Sequence, residues 1–226
     1  MADLRVISIG ALAAHPLWQE KGEVRPGHAT TTLIRSEDAR ILVDPSLPAK
    51  VLQARLRERS GLEPRDVTHV FLTCLNPLHR RGLDLFPEAQ WLVAEAEREA
   101  IGVGLVERMH EAHAAGDEEL VAMLAGEIAL VQRIVAAPDR LAEGVDLFPL
   151  PGVTPGLAGL LLASGSATIV VCGDAIVTAE HLEAGRVHAP AHDVEKASES
   201  FREAVEIADA LVLGRDNIVL NPLRRF

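Results

Sequence analysis

The stretch that decides the fold reads Val67-Thr68-His69-Val70-Phe71-Leu72-Thr73-Cys74-Leu75-Asn76-Pro77-Leu78-His79. Its first half, residues 67–73, is largely apolar and of strand length, which is typical of a strand buried on both faces. Residues 168–172 form a second run of the same kind. Both runs are therefore predicted to be central strands, and the polar residues after the first one are predicted to lie at the end of a sheet.

The order of elements around these two runs predicts the fold class. Strands are predicted first, helices follow, and the order then repeats, which favours an α+β protein in which two mixed sheets pack face to face with helices outside. The prediction is a four-layer αββα sandwich, with residues 1–226 as a single domain and a helical insertion at about 95–136. A doubly wound α/β fold is the competitor, but residues 9–14 lack the glycine-rich phosphate loop that it requires. The predicted strands are 4–9, 30–35, 40–43, 67–73, 91–94, 145–150, 157–163, 168–172 and 210–213.

Three helical segments are predicted between the strands. Residues 48–60 form a helix that begins at Pro48 and stops at Gly61. Residues 95–136 are mostly helical, with breaks near Gly102, Gly104 and Gly116. The last helix, capped by Asp193, runs to Ala208 and is predicted to carry an apolar stripe at helical spacing. That stripe consists of Val194, Ala197, Phe201, Val205 and Ala208.

Composition limits the partners and the compartment. The chain has 226 residues, 48% of them apolar, and a net charge of −11. Because an acidic surface repels phosphates, and because Arg80-Arg81 and Arg224-Arg225 are short basic clusters, nucleic acid is not expected as a partner. The absence of an apolar run of about 18 residues predicts no membrane association. Two cysteines and a start without a basic-then-apolar pattern predict a cytoplasmic protein.

Several short motifs follow one another in an order that resembles the metallo-β-lactamase superfamily. Its members end a buried strand in T-H-x-H-x-D-H, where this chain has Thr73 to His79. The other matches are Gly27-His28-Ala29-Thr30-Thr31-Thr32-Leu33-Ile34 with Ile41-Leu42-Val43-Asp44, then Gly82-Leu83-Asp84-Leu85-Phe86-Pro87, Pro151-Gly152-Val153-Thr154-Pro155-Gly156-Leu157, Gly173-Asp174 and Gly214-Arg215-Asp216-Asn217. The resemblance implies the αββα metallohydrolase fold, but activity depends on the site itself.

The resemblance also implies that most metal ligands are lost. The positions of the family's seven ligands are taken here by Cys74, Asn76, Leu78, His79, Val153, Asp174 and Arg215. A catalytic zinc needs about three protein ligands, and neither metal position reaches three good donors. The expectation is therefore a vestigial cleft without a cofactor, in which Arg215 pairs with Asp174 and His79 completes the cluster. The alternative is one zinc, iron or manganese ion held by Cys74, His79 and Asp174.

Other histidines are further candidates for site residues. His15 and His28 lie where the family's loops approach the substrate, so either is a candidate for lining the cleft. His181, His188 and His192 with Asp193 form a possible displaced metal site, although Pro190 rules out a helical ligand pair. His110 and His113, with Glu107 and Glu111, are predicted to form a solvated helix face, and Ser164-Gly165-Ser166 is predicted to be a hairpin turn rather than a nucleophile elbow.

The sequence is compatible with three functions. The first is a metal-free relative, inactive as a metallohydrolase, that binds a small molecule in the cleft or acts through an interface. The second is a hydrolase of an ester, lactone or thioester with an atypical mononuclear or metal-free site. The third is a structural partner of an active paralogue. A homodimer is also a possibility, based on a predicted exposed apolar stripe in the insertion. That stripe contains Met109, Leu120, Met123, Leu124, Ile128 and Val131.

Overall fold

A computed structural model describes residues 2–165 and 167–222. Ser166 of the predicted hairpin turn and the basic pair Arg224-Arg225 lie outside the described residues. Six strands form the first sheet, in the order β1-β2-β3-β4-β5-β6. They are β1 (Asp3–Ser8), β2 (Thr31–Ser36), β3 (Ala39–Val43), β4 (His69–Leu72), β5 (Gln90–Val93) and β6 (Val135–Ala136). β1, β2 and β3 are antiparallel neighbours, whereas β3 to β6 run parallel, so the sheet is mixed.

Six strands also form the second sheet, in the order β12-β11-β10-β9-β8-β7. They are β7 (Arg140–Ala142), β8 (Val145–Pro149), β9 (Ala158–Ser164), β10 (Ala167–Val171), β11 (Ala210–Val212) and β12 (Ile218–Leu220). Only the β10–β11 pair is parallel. The prediction that residues 210–213 are the last strand was wrong, because β12 adds an edge strand after the turn at residues 214–217. β4 and β10 are interior strands, as predicted.

The two sheets pack against each other through one apolar layer, to which Phe71 of β4, Leu160 of β9 and Val171 of β10 contribute. Val70 and Leu72, on the other face of β4, pack instead with the helices outside the first sheet. β4 is therefore buried on both faces, which explains its apolar sequence. A further cluster lies between the second sheet and its own helices. These layers confirm the αββα sandwich.

Two helices follow the predictions for residues 48–60 and 193–208 closely. α1 (Ala49–Ser60) packs on the first sheet and ends at Gly61, which adopts a left-handed conformation with φ +73°. The side chain of Asp193 accepts a hydrogen bond from the Lys196 amide and caps the last helix, residues Val194–Ile207. That helix is α5 in the chain, and its stripe is buried except for Val194, which is 59% exposed. Val194 is the first residue of that helix.

The predicted insertion forms a helical hairpin that joins β5 to the parallel strand β6. α2 (Glu95–Ala115) continues through Gly102 and Gly104, so the predicted break there was wrong. Both glycines lie in open space on the helix, where they cost helix propensity without breaking the helix. The predicted break at Gly116 is confirmed, and α3 (Glu118–Arg133) follows it. His110, His113, Glu107 and Glu111 are exposed on α2, as predicted.

Most apolar side chains of this hairpin face the protein core. Leu124 and Val131 are buried, and Met109, Leu120 and Ile128 pack against the same cluster. Of the predicted exposed stripe, only Met123 is largely exposed, at 55%. The stripe prediction was therefore wrong, and the apolar periodicity is explained by packing on the first sheet. No helix among the described residues combines the length and apolar composition needed to cross a membrane.

Candidate functional site

Three loops meet at one edge of the sandwich. They follow β4, β10 and β11, and they approach one another closely. A Cβ added to Gly173 would lie 2.7 Å from the Thr73 side chain, and one added to Gly214 would lie 2.3 Å from the Gly173 carbonyl oxygen. Gly173 also has a φ of +52°, a conformation that glycine adopts at little cost. The two glycines therefore allow the close approach that brings His79, Asp174 and Arg215 together.

Arg215 and Asp174 form a buried two-pronged ion pair. The Nε of Arg215 donates to Oδ1 of Asp174 at 2.8 Å, and Nη2 donates to Oδ2 at 2.7 Å. Asp174 is 4% exposed and Arg215 is 5% exposed. The predicted pairing is confirmed, and its fork geometry is the strong form of an arginine–carboxylate bond.

His79 lies between two carboxylates. Its Nε2 is 3.0 Å from Oδ2 of Asp174, and its Nδ1 is 3.0 Å from Oδ2 of Asp44. The amide and hydroxyl of Thr73 also donate to Asp44, at 2.9 Å and 2.7 Å. Asp44 follows β3 with a left-handed φ of +48°, an unusual conformation for a residue other than glycine. His79 therefore joins Asp174 to a second carboxylate, Asp44, which is not one of the seven counterparts of the family's metal ligands.

These four residues, Asp44, His79, Asp174 and Arg215, are called the buried charge cluster below. Burial opposes the charged form of His79, but the charge of the adjacent Cys74, when its thiol is ionised, and the charges of the Asp174 and Asp44 carboxylates raise the pKa of His79 well above its usual value. Burial also opposes the charge of Asp174, yet His79 and Arg215 hold its pKa well below the usual range. Two carboxylates are thus balanced by an imidazolium and a guanidinium, and the cluster is neutral overall.

Cys74 is the remaining polarisable group beside the cluster. Burial raises the pKa of its thiol, and the nearby His79 offsets this only in part, so the neutral thiol is the favoured form. The ligand atoms of Cys74, His79 and Asp174 lie within 4.8 Å of one another. Within residues 2–165 and 167–222 this is the one group of three such side chains. Cys172 is fully buried in the core of the second sheet, as predicted for a small apolar residue.

The remaining ligand counterparts do not fit a dinuclear metal centre. Asn76 is exposed, and its side-chain oxygen accepts a hydrogen bond from the Leu78 amide at 3.0 Å, so that it caps a helical turn. Leu78 and Val153 are half-buried and offer no donor atom. Arg215 holds both oxygens of Asp174, and its positive charge stands where a cation would have to bind. The donor set therefore disagrees with a two-metal site.

A buried glutamate, which the sequence did not reveal, fixes two of the loops. Glu97 of α2 is fully buried and accepts hydrogen bonds from the Leu75 amide at 3.1 Å, the Thr154 hydroxyl at 2.7 Å and the Gly156 amide at 3.1 Å. A Cβ on Gly156 would lie 2.0 Å from the Glu97 amide nitrogen. Glu97 thus ties the loop after β4 to the loop that carries Val153. Its only sequence signal is an acidic residue in the first turn of a helix.

A group of histidines packs together around Thr178. His15 is buried and stacks on Trp18, with ring centroids 4.1 Å apart. The hydroxyl of Thr178 lies 3.1 Å from Nε2 of His15 and 2.9 Å from Nδ1 of His181. Thr178 is the N-cap of the short helix α4 (Ala179–Ala184), which contains His181. The His188 ring packs edge-on against His181, with centroids 6.4 Å apart.

The other histidine predictions have separate outcomes. His28 does not join this group, because its ring nitrogens lie near the carbonyl oxygens of Ile9 and Pro26, at 3.0 Å and 3.3 Å. His181, His188 and His192 with Asp193 do not assemble a three-ligand group anywhere in the part of the chain that the structure describes. The displaced metal site considered from the sequence is therefore not formed. Pro190, between His188 and His192, prevents the helical spacing that would bring both rings to one ion.

Two facing mixed sheets, with site loops at their edge, define the architecture of the metallohydrolases. The profile of the metallo-beta-lactamase superfamily matches residues 24–214. The chain belongs to that superfamily. A search of curated proteins finds no match.

Solved structures with the same fold include hydrolases. A putative metallo-beta-lactamase from Thermotoga maritima has a TM-score of 0.67 at 18% identity, covering 97% of this chain and 99% of its own. A quorum-quenching N-acyl homoserine lactone lactonase has a TM-score of 0.60 at 19% identity, covering 91% and 86%. AidC, a dizinc quorum-quenching lactonase, has a TM-score of 0.61 at 18% identity, covering 79% and 67%. At such identities the likeness shows a shared fold.

Proposed function

We propose that this protein uses the metallo-β-lactamase fold without a metal and acts as a binding or interaction protein rather than as a metallohydrolase. The buried charge cluster is the observation that carries this proposal. In it, the chain supplies its own cations, His79 and Arg215, at the positions where the family resemblance places metal ligands. Both cations contact the Asp174 carboxylate, so the charge of that residue is already neutralised from within the chain.

The energetic cost of burying the Asp174 carboxylate favours a permanent contact with Arg215 and His79. A carboxylate removed from water without a partner is costly or becomes protonated. Asp174 avoids this cost through three short contacts, two with Arg215 and one with His79. A metal ion would have to displace the guanidinium, which would then be a buried cation without a counter-ion. Binding of Asp174 by Arg215 and binding of a metal ion at Asp174 therefore exclude each other.

A hydrolase with one metal ion is the second candidate, and one observation favours it. Cys74, His79 and Asp174 offer three donor atoms within 4.8 Å of one another, which is the ligand number of a catalytic zinc. Zinc, iron or manganese at this position, acting on an ester, lactone or thioester, requires Arg215 to release Asp174 and His79 to lose its proton. The lactonase activity of two structural neighbours makes lactones the first substrates to test.

The proposal extends to the cellular location and the partners of this protein. A cytoplasmic binding protein would recognise a small molecule at this edge of the sandwich, or associate with a second copy of the chain or with an active paralogue. Neither nucleic acid nor a membrane is proposed as a partner, since the net charge is −11.

Restoring the ligands is the experiment that tests the proposal. We would titrate zinc into the wild-type chain and into a variant with Cys74→His, Asn76→His, Leu78→Asp, Val153→His and Arg215→His, using calorimetry. The wild-type chain should not bind zinc tightly, whereas the restored variant should bind it, since it regains seven family ligands. Arg215→His alone is the matched control and should not bind zinc, because three other positions still lack a good ligand.

The same protein samples should be assayed against lactone, ester and thioester substrates with zinc, iron or manganese present. Tight binding of one zinc ion by the wild-type chain, together with metal-dependent turnover, would contradict the proposal and establish the second candidate. Turnover that persists in chelator-treated protein would show a metal-free hydrolase, which also contradicts a function limited to binding.

A further inference from the structure

A groove lies between the two helices of the hairpin, α2 and α3. Its volume is about 260 Å³, and none of the residues that line it belongs to the buried charge cluster. Its apolar lining comes from both helices and consists of Leu105, Val106, Ile128 and Val131. Leu105 and Val131 are buried, whereas Val106 is 45% exposed. The groove therefore offers an apolar surface that a bound molecule would cover further.

Gly102 keeps this groove open. It is one of the lining residues, and a Cβ added to it would meet no atom within 4 Å. Glycine within a helix costs stability relative to alanine, and alanine would fit here without a clash. Packing of the fold therefore does not require a glycine at this position, and its effect is to leave space in the groove.

Arg98 places an unpaired positive charge at the same groove. Its side chain lies one turn before Gly102 on α2 and is also part of the lining. Its Nε is buried and has no hydrogen-bond partner within residues 2–165 and 167–222. None of the ion pairs among these residues includes Arg98. An N–H group that is shielded from water without an acceptor is unfavourable, so an anion that binds this guanidinium would be stabilised.

We propose that the groove binds a small aliphatic carboxylate, with the carboxylate on Arg98 and the chain along Gly102, Leu105 and Val106. The inference goes beyond the proposed function, because it concerns a second site that does not depend on the metal content of the buried charge cluster. A carboxylate matches the guanidinium because its two oxygens can accept two parallel N–H bonds.

The size of the groove favours a small molecule over a segment of a partner protein. A volume of about 260 Å³ holds about nine groups of the size of a water molecule, at about 30 Å³ each. This is enough for heptanoate. A helix with its side chains is about 10–12 Å in diameter and would not enter.

The other polar residues of the groove favour a monoanion. Glu99 and Gln132 also line it, and both are exposed. The Glu99 carboxylate remains in water, where screening weakens its repulsion of a single negative charge. A dianion such as phosphate would be repelled more strongly, and the net charge of −11 acts in the same direction. The Gln132 amide can donate to an oxygen of the bound carboxylate.

The test measures binding of heptanoate, heptanamide and butyrate to the full-length chain by calorimetry. Heptanoate should bind saturably, with one molecule per chain and a Kd on the order of 1 mM or tighter. Heptanamide should bind at least about tenfold more weakly, because the pair with the guanidinium is no longer between opposite charges. Butyrate should also bind at least about tenfold more weakly, because fewer methylene groups are buried.

Two variants test the two features of the groove separately. Arg98→Met keeps an unbranched side chain without a charge, so heptanoate should bind no more tightly than heptanamide does. Gly102→Leu fills the open space and should weaken the binding of both molecules by at least about tenfold. Arg108→Met and Gly104→Leu are the matched controls, since both positions are on α2 outside the groove lining, Arg108 is exposed and Gly104 lies in open space. Both controls should bind heptanoate as the wild-type chain does.

Circular dichroism establishes that each variant is folded, and if Gly102→Leu does not fold, Arg98→Met alone decides. Absence of saturable heptanoate binding by the wild-type chain overturns the inference, as do equal affinities for heptanoate and heptanamide. Full heptanoate binding by the folded Arg98→Met variant or the folded Gly102→Leu variant also overturns it. A dimer in light scattering that Gly102→Leu dissociates and Gly104→Leu does not would assign the groove to a second copy of the chain instead. In each case the metal-free proposal stands or falls by its own zinc titration.

Discussion

Removal of Arg215 should destabilise the fold more than removal of any exposed arginine. Arg215→Ala deletes the 2.8 Å and 2.7 Å bonds to Asp174 and leaves Asp44 and Asp174 to share one imidazolium. Breaking a buried ion pair by removing one partner costs about 3–5 kcal/mol. In a chain of 226 residues, that loss corresponds to a melting temperature lower by about 6–20 °C.

Urea denaturation followed by circular dichroism measures this loss, provided that unfolding is reversible and the slope with denaturant is unchanged. Arg202→Ala is the matched control, because Arg202 is exposed on α5 and its loss should change the free energy of unfolding by no more than about 0.5 kcal/mol. Replacing both partners, by Asp174→Leu with Arg215→Met, should recover much of the stability. A loss below about 1 kcal/mol for Arg215→Ala is the value of an exposed pair and would refute the reasoning.

Three further predictions follow from the loops and the histidines. Glu97→Ala should lower the free energy of unfolding by at least about 2 kcal/mol, because three donors lose their acceptor, and Glu97→Gln by less; equal denaturation midpoints for all three chains would contradict this. Gly156→Ala should lower the melting temperature by several degrees, because its Cβ would overlap the Glu97 backbone at 2.0 Å; an unchanged thermal midpoint would show that the loop adjusts freely. Burial and the neighbouring His15 and His188 lower the pKa of His181 to about 4, so the unfolded chain binds a proton at this residue before the folded chain does, and the free energy of unfolding falls as the pH drops from about 6.5 towards 4. His181→Phe should reduce that fall, and identical profiles of stability against pH for the two chains would contradict this prediction.

The sequence was sufficient for the fold because the deciding strands are apolar on both faces. Residues 67–73 and 168–172 could occupy only interior positions, and β4 and β10 do so. The packing of the helical hairpin was harder to predict. The spacing of its apolar residues predicts that one face of each helix is buried, but it does not identify the surface against which that face packs. The stripe that includes Leu124 and Val131 was assigned to a partner, whereas it packs on the first sheet.

Contacts within the site could be predicted only between residues that the family motifs place around the same metal position. The pairing of Arg215 with Asp174 followed because the family resemblance sets both around a single cation. Asp44 and Glu97 were missed because their partners come from distant segments: Thr73 is 29 residues from Asp44, and Gly156 is 59 residues from Glu97. No local pattern in the sequence records such contacts, which depend on how the loops pack in three dimensions.

Elemental analysis of the purified chain tests the central claim most directly. The protein would be produced in medium supplemented with zinc, iron and manganese and purified without chelator, with the ligand-restored variant prepared in parallel as the positive control. A chain in which Arg215 and His79 neutralise Asp174 should carry far less than one metal ion per molecule, while the restored variant carries metal in stoichiometric amount. One or two tightly bound ions per wild-type chain would contradict the account.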